Sequence, residues 1–347
     1  MEIIFNRLYR IDIEKNHVTA MPLRDELSDL KSYVYELVTK ILISSDSKSF
    51  QFNSETTEVR VLIDKILNAN ENEADVYDNA TLAIAKRLLN EETLSQAKVD
   101  KLGIKIHKGV LVVSLVKHDN NRVKIVISKA ENDEFLDDES YKLLRGLPVR
   151  KKIYKAFICE VDENKTITKV AIYDTNSTYS VYWWREFLEL TETHSDDYNT
   201  KKAFDVIEAN ILTPIKKISK PDYITLWNTT VHYFRCKTEF SMDDFVENTI
   251  NGYQPFDERI KPEKIEKDIR SLPLKHDFDS KFSIIQKLIT KQFKKTIPLT
   301  YQIDLQFKED IPDLNNVIKP YEELDGTKYV MIKSEQGYDY FKRRQNN

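Results

Sequence analysis

Residues 3–18 alternate between apolar and polar side chains, with Ile3, Phe5, Leu8, Ile11 and Ile13 on the apolar side. That period of two predicts one or two opening strands, closed by Pro22. From Arg24 the period lengthens. Leu27, Leu30, Val34, Leu37, Val38, Ile41 and Leu42 follow helical spacing, and Ser44 to Ser47 end the run. A second helix starts near Ser54, with Glu58 in its first turns and Val59, Leu62, Ile63, Ile66 and Leu67 as its buried stripe. A third spans about Ala74 to Leu94.

The period then returns to two. Gly109 to Val116 reads as a strand buried on both faces, Asp119-Asn120-Asn121 as a turn, and Val123 to Ile127 as the partner strand. Beyond an acidic loop from Glu131 to Glu139 the design repeats: Ile153 to Val161, a turn at Asp162 to Lys165, and Thr168 to Tyr173. Helical spacing resumes after Asp174, near 199–218, 222–236, 241–250 and 262–271. Tyr301, Ile303, Leu305 and Phe307 alternate again. Asp325-Gly326 marks a hairpin turn between Val317–Tyr321 and Lys328–Lys333, and a short helix follows from Glu335 to Arg344.

The pattern predicts an α+β fold. Residues 1–180 are expected to carry N-terminal helices with an antiparallel sheet of two hairpins. Residues 181–347 are expected to form a mostly helical, basic domain ending in a β-hairpin and a short helix, the boundary falling near 175–195.

Composition narrows the function. The 347 residues hold 53 Lys and Arg against 57 Asp and Glu, a net charge of −4, and 41% are apolar. Such a chain builds a core and is not globally disordered. No apolar run approaches the ~18–20 residues that span a bilayer, and the first residues lack the pattern of a secretory leader. A cytoplasmic protein is expected. Two cysteines, Cys159 and Cys236, are too few for a disulfide scaffold, and both are expected to be small core residues. The His residues form no metal-ligand pair, so no metal and no cofactor is expected. With six glycines, neither G-x-G-x-x-G nor a phosphate-binding P-loop can be written.

Catalytic constellations are thin. Glu163-Asn164-Lys165 matches the tripeptide of a magnesium-dependent nuclease but sits at a hairpin tip, where a polar turn is the simpler reading. The acidic run Glu131, Asp133, Glu134, Asp137, Asp138 and Glu139 lacks calcium-loop spacing and reads as a solvated loop. No catalytic residue is assigned, and a non-enzyme is expected.

The charge distribution is more informative. Residues 1–100 carry 12 basic and 18 acidic side chains, whereas residues 201–300 carry 18 and 14. Two windows hold no acid. One, from Tyr141 to Lys155, contains Lys142, Arg145, Arg150, Lys151, Lys152 and Lys155; the other, from Lys281 to Thr300, contains Lys281, Lys287, Lys291, Lys294 and Lys295. Lys201, Lys202, Lys216, Lys217 and Lys220 bracket one helical stretch. Phosphate backbones attract such clusters by Coulomb attraction and counterion release, without sequence readout. A lysine-rich face is more often simply solvated surface.

The order of elements carries a resemblance. The run Tyr182-Trp183-Trp184-Arg185-Glu186-Phe187-Leu188 follows the central sheet, Thr200 and Ala203 lie in the basic helical region behind it, and Tyr329-Val330-Met331-Ile332-Lys333 closes a late hairpin. This layout resembles the bacterial NdpA-like nucleoid-associated protein family. Its members also place an aromatic-aromatic-x-x-Phe-Leu element after the sheet and end in a strand carrying Ile-Lys. They have Gly after Phe-Leu, where Glu189 stands here, and their opening strand differs. The resemblance implies a cytoplasmic protein that associates with the bacterial nucleoid and binds DNA without catalysis. The partners expected beside it are double-stranded DNA and, as a homodimer, a second copy of the chain. The expected phosphate contacts, chosen from charge alone, are Arg145, Arg150, Lys151, Lys152, Lys155, Lys201, Lys202, Lys216, Lys217, Lys287, Lys291, Lys294 and Lys295. The rival expectations are a phage-defence component sensing DNA or a phage protein with an operon partner, and a metal-dependent nuclease.

Overall fold

The computed structural model describes residues 2–23, 27–44, 46–70, 72–100, 103, 106, 108–117, 122–149, 154–176 and 179–342. The chain divides into two compact units. The first comprises Met1–Ser195 with Asp279–Phe282; the second comprises Asp196–Phe278 and Ser283–Asn347.

The first unit is built on one antiparallel sheet. Its strands are β1 (Glu2–Asp12), β2 (His17–Met21), β3 (Lys48–Phe52), β4 (Gly109–Lys117), β5 (Val123–Glu131), β8 (Tyr154–Val161), β9 (Ile167–Asp174) and β10 (Leu190–Glu192). Between β5 and β8 lie the short partners β6 (Asp133–Leu136) and β7 (Leu143–Gly146). The eight strands run in the order β10-β3-β9-β8-β5-β4-β1-β2. The expectation of N-terminal helices followed by a sheet of two hairpins is overturned. The first element is a strand, and the two hairpins are only the middle of the sheet. β1 pairs with β4 across the whole of the intervening helical region. β3 and β10 add the far edge with strands too short to display a period. The acidic loop is likewise in part a hairpin, β6 with β7.

Helices cover both faces. Alternate residues of the central strands serve opposite layers. Leu111, Val113 and Leu115 pack under α2 (Glu58–Asn68), α3 (Ala74–Val99) and the aromatic run at 182–188. Val110, Val112 and Val116 pack under α1 (Ser28–Ile43). Burial on both sides explains why β4 reads as an unbroken Val-rich run. Gly109 is required where it stands, because a Cβ there would lie 2.1 Å from the Ala130 carbonyl oxygen on β5. The run Tyr182–Phe187 forms a π-helical turn whose Trp183 and Phe187 are fully buried in the first unit.

The second unit is mostly helical: α4 (Asp196–Ile207), a π-helical continuation Glu208–Leu212, α5 (Thr213–Ile218), α6 (Lys220–Cys236), α7 (Met242–Thr249) and α8 (Pro262–His276). The short strand β11 (Glu239–Ser241) precedes α7, and β12 (Lys281–Ser283) begins in the segment that belongs to the first unit. Ser219 and Ser241 cap α6 and α7, their hydroxyls accepting from the amides of Asp222 and Asp244. Phe234, Phe240 and Phe245 form the aromatic centre, with ring centroids 5.5–6.2 Å apart. The hairpin of β13 (Lys295–Pro298) and β14 (Asp304–Phe307) follows. The chain ends in α9 (Leu314–Val317), the hairpin of β15 (Ile318–Glu322) and β16 (Lys328–Ile332), and α10 (Glu335–Phe341).

Candidate nucleic-acid interface

The two acid-free windows have different fates. In the first, Lys142 is exposed. Arg145 is also exposed, but its guanidinium pairs with Glu134 across β6 and β7 at 2.5 Å. Arg150, Lys151 and Lys152 lie outside the described residues. Lys155 is turned inward, only 4% exposed, with Nζ 2.5 Å from Glu131 Oε1. It is not placed to meet a phosphate.

Lys155 belongs to a buried ionic row. In register, Lys129, Lys155 and Asp174 stand side by side across β5, β8 and β9, on the face covered by α3. Glu92 descends from α3 and accepts from Lys129 Nζ at 2.5 Å and from the Tyr182 hydroxyl at 3.4 Å. Lys281 donates to the carbonyls of Asp174 and Asn176 at 2.8 and 3.0 Å. Burial pushes the Glu92 and Asp174 carboxyls up, opposed by the neighbouring ammonium groups of Lys129 and Lys155. Lys129 and Lys155 thus meet carboxylates and Lys281 meets backbone carbonyls, which is why this much charge is tolerated inside. Its chemistry is internal: it ties α3, the sheet and the aromatic turn together. Lys281, from the second window, is spent here as well.

The remaining basic residues gather on the second unit. Positions 200, 204 and 208 share one face of the helix begun by α4, and the segment 285–295 runs along that face. The Ile285 amide donates to the Thr200 hydroxyl at 3.0 Å, Phe204 packs edge-on to Phe293, and Lys295 pairs with Glu208 at 3.0 Å. This brings the lysines of two distant stretches onto one unit. Lys216 Nζ and Lys295 Nζ lie 5.3 and 5.2 Å from the centre of the same ring, Tyr223. Burial alone would lower the Lys295 ammonium, but Tyr223 and Glu208 outweigh it and hold its pKa up. Lys201, Lys216, Lys217, Lys287, Lys291 and Lys294 are exposed, and Lys202 is half-buried. Among the described residues no acid pairs with any of these seven.

Among the described residues the catalytic alternatives find no constellation. Glu163, Asn164 and Lys165 are all exposed at the β8–β9 turn, and no group of three or more potential metal ligands occurs among the described residues. Cys159 is buried mid-strand, where burial pushes its thiol up to about 12. Cys236 corrects the expectation of a core thiol, for it is exposed at the end of α6. Its Sγ lies 3.6 Å from His232 Nδ1, the same nitrogen that Asp310 approaches at 2.7 Å. A relay needs carboxylate and nucleophile on opposite ring nitrogens, so this trio lacks the nucleophilic arrangement. No helix of the described residues is long and apolar enough to cross a membrane.

No family model, no curated protein and no solved structure matches the chain. The likeness to the NdpA-like family therefore rests only on the residues quoted for it.

Proposed function

We propose that this chain is a non-enzymatic, nucleoid-associated protein that holds double-stranded DNA by its phosphates, through the lysines of the second unit and with little sequence preference. The observation that carries this reading is the set of exposed lysines Lys216, Lys217, Lys291 and Lys294, with which no acid pairs among the described residues and whose two stretches meet where Lys216 and Lys295 converge on Tyr223. Point charges on flexible stems suit a phosphate backbone and discriminate poorly among bases. The buried row of the first unit withdraws Lys155 and Lys281 from this role.

Fluorescence anisotropy with a labelled duplex over a salt series tests it. The expected result is binding whose log K falls linearly with log salt, at ~0.9 per phosphate engaged. A variant with Lys216, Lys217, Lys291 and Lys294 replaced by Glu should lose binding while keeping its circular dichroism. Equal affinity in that folded variant, or no binding by the native chain at low salt, refutes the reading.

A further inference from the structure

The last hairpin is an unfinished sheet. Every residue from Lys319 to Gln336 is exposed, including Tyr321, Tyr329, Val330, Met331 and Ile332 on the strands, and so are Tyr338, Tyr340 and Phe341 on α10. Between β16 and α10 lies an open groove of about 1430 Å³, walled by Val330, Ile332, Tyr338 and Phe341. Two strands alone are at best marginally stable in water, and an apolar surface of this kind marks an interaction site.

The two edges of the hairpin differ. The amide of Lys333 donates to the Val317 carbonyl and that of Glu323 to the Thr327 carbonyl. Stepping by two from either end, Lys319/Met331 and Tyr321/Tyr329 exchange the inner bonds, while Ile318/Ile332, Pro320/Val330 and Glu322/Lys328 turn their backbone groups outward. On β15 the central outward position is Pro320, which has no N–H, so that edge is blunted. On β16 the outward positions Lys328, Val330 and Ile332 all keep their amides.

The geometry points to a second copy of this chain as the occupant, joined through β16. Antiparallel pairing about a two-fold axis at Val330 sets Val330 against Val330 and Lys328 of each copy against Ile332 of the other. It is the symmetric register that uses all three outward positions. The product is a four-stranded sheet, β15-β16-β16-β15, with Pro320 on both outer edges. It therefore closes at two copies instead of growing, as an isologous interface must. Charge agrees with this occupant and not with a nucleic acid. Lys319, Lys328, Lys333 and Lys342 are balanced by Glu322, Glu323, Asp325, Glu335 and Asp339. The arm from Leu314 to Lys342 is also the right size, since one side of a standard interface takes ~20–30 residues. The pairing does not depend on what the lysines of the second unit bind.

Light scattering on the full chain tests it, at ~10 µM, where a micromolar dimer is populated. The native protein should run at twice the 40.9 kDa of one chain. Val330→Pro removes only an outward amide and leaves the hairpin's own ladder intact, so it should run as a monomer. A second variant covers the case in which that proline disturbs folding. Facing residues of a hydrogen-bonded antiparallel pair have Cα atoms ~5.5 Å apart, within disulfide reach of ~4.4–6.8 Å. In a Cys236→Ser background, Val330→Cys should form a disulfide-linked dimer on mild oxidation, and Leu324→Cys, at the hairpin tip, should not. A monomeric native chain, a dimer unaffected by a folded Val330→Pro, or equal cross-linking at 324 and 330 overturns the proposal.

Discussion

Lys129 and Lys155 stand opposite each other on adjacent strands, both buried, and each is held by its own carboxylate, Glu92 from α3 and Glu131 from β5. Two like charges facing across a sheet repel. The pair exists because a helix and a strand end deliver one counter-charge apiece. The row therefore acts as a lock between α3 and the sheet, and its value depends on completeness.

Removing one half of that lock should cost more than removing both. Glu92→Gln leaves the Lys129 ammonium buried without its counter-charge, a loss of ~3–5 kcal/mol for a broken buried pair. The double variant Glu92→Leu with Lys129→Met removes both charges and should recover most of it. Urea denaturation of the three proteins checks this. A double variant as unstable as the single would show that packing volume, not charge, is at stake.

Asp222 predicts a loss of stability in acid. Its carboxylate, at the start of α6, accepts from the Tyr253 hydroxyl at 2.5 Å and from the amides of Phe256 and Asp257 at 2.7 and 3.1 Å. Burial pushes its pKa up, but these bonds and that with Ser219 outweigh it and hold it below the ordinary value. A folded pKa lower than the unfolded one means stability that is full above the unfolded value of ~3.9. It is lost as pH falls through the folded value. Asp222→Asn should cost ~1–3 kcal/mol at neutral pH, the range for a broken charged hydrogen-bond set. The gap between native and variant should close as the pH drops below the carboxylate range. Thermal melts across that range decide it, and a constant gap would rule the carboxylate out.

The thiols should separate cleanly by reactivity. Cys159 is buried in β8 with its pKa pushed to about 12, and Cys236 is exposed. Thiolate, not thiol, is the attacking species. A chromogenic disulfide reagent at neutral pH should therefore titrate one thiol per native chain and two after denaturation. Two in the native state would place Cys159 in solvent.

What was legible in the sequence follows from element length and burial. β4, β5, β8 and β9 could be read because their apolar runs are long and doubly covered, and the stripe Val59 to Leu67 because it spans about two and a half turns. The Asp325-Gly326 hairpin could be read from turn chemistry. β3 and β10 could not, since strands of five and three residues barely complete a period. β1 looked like an opening strand, but its place beside β4 is a long-range pairing that no local pattern encodes. The charge windows misled for a related reason. Between 141 and 155 no acid appears, yet the partners of Arg145 and Lys155 sit just outside the window, at Glu134 and Glu131, and Glu92 arrives from α3. The exposure of Cys236 was hidden too, because a helix end near apolar residues does not say which side faces water.

The lysines of the second unit should divide into two kinds. Lys295 is half-buried, bonded to Glu208 and set against Tyr223, so its charge is already partly answered inside the molecule. Lys291 and Lys294 are exposed with no acid paired to them among the described residues. Counterion release counts only charges that approach phosphate. Replacing Lys291 and Lys294 together by Gln should flatten the salt slope by ~1.8, two contacts at ~0.9 each. Lys295→Gln should leave the slope nearly unchanged while destabilising the fold, since Glu208 loses its partner. Slope from anisotropy and midpoint from urea denaturation, measured on the same three proteins, separate the two roles. A slope that falls with Lys295→Gln but not with the double variant would move the DNA-facing edge from the loop to the Tyr223 ring.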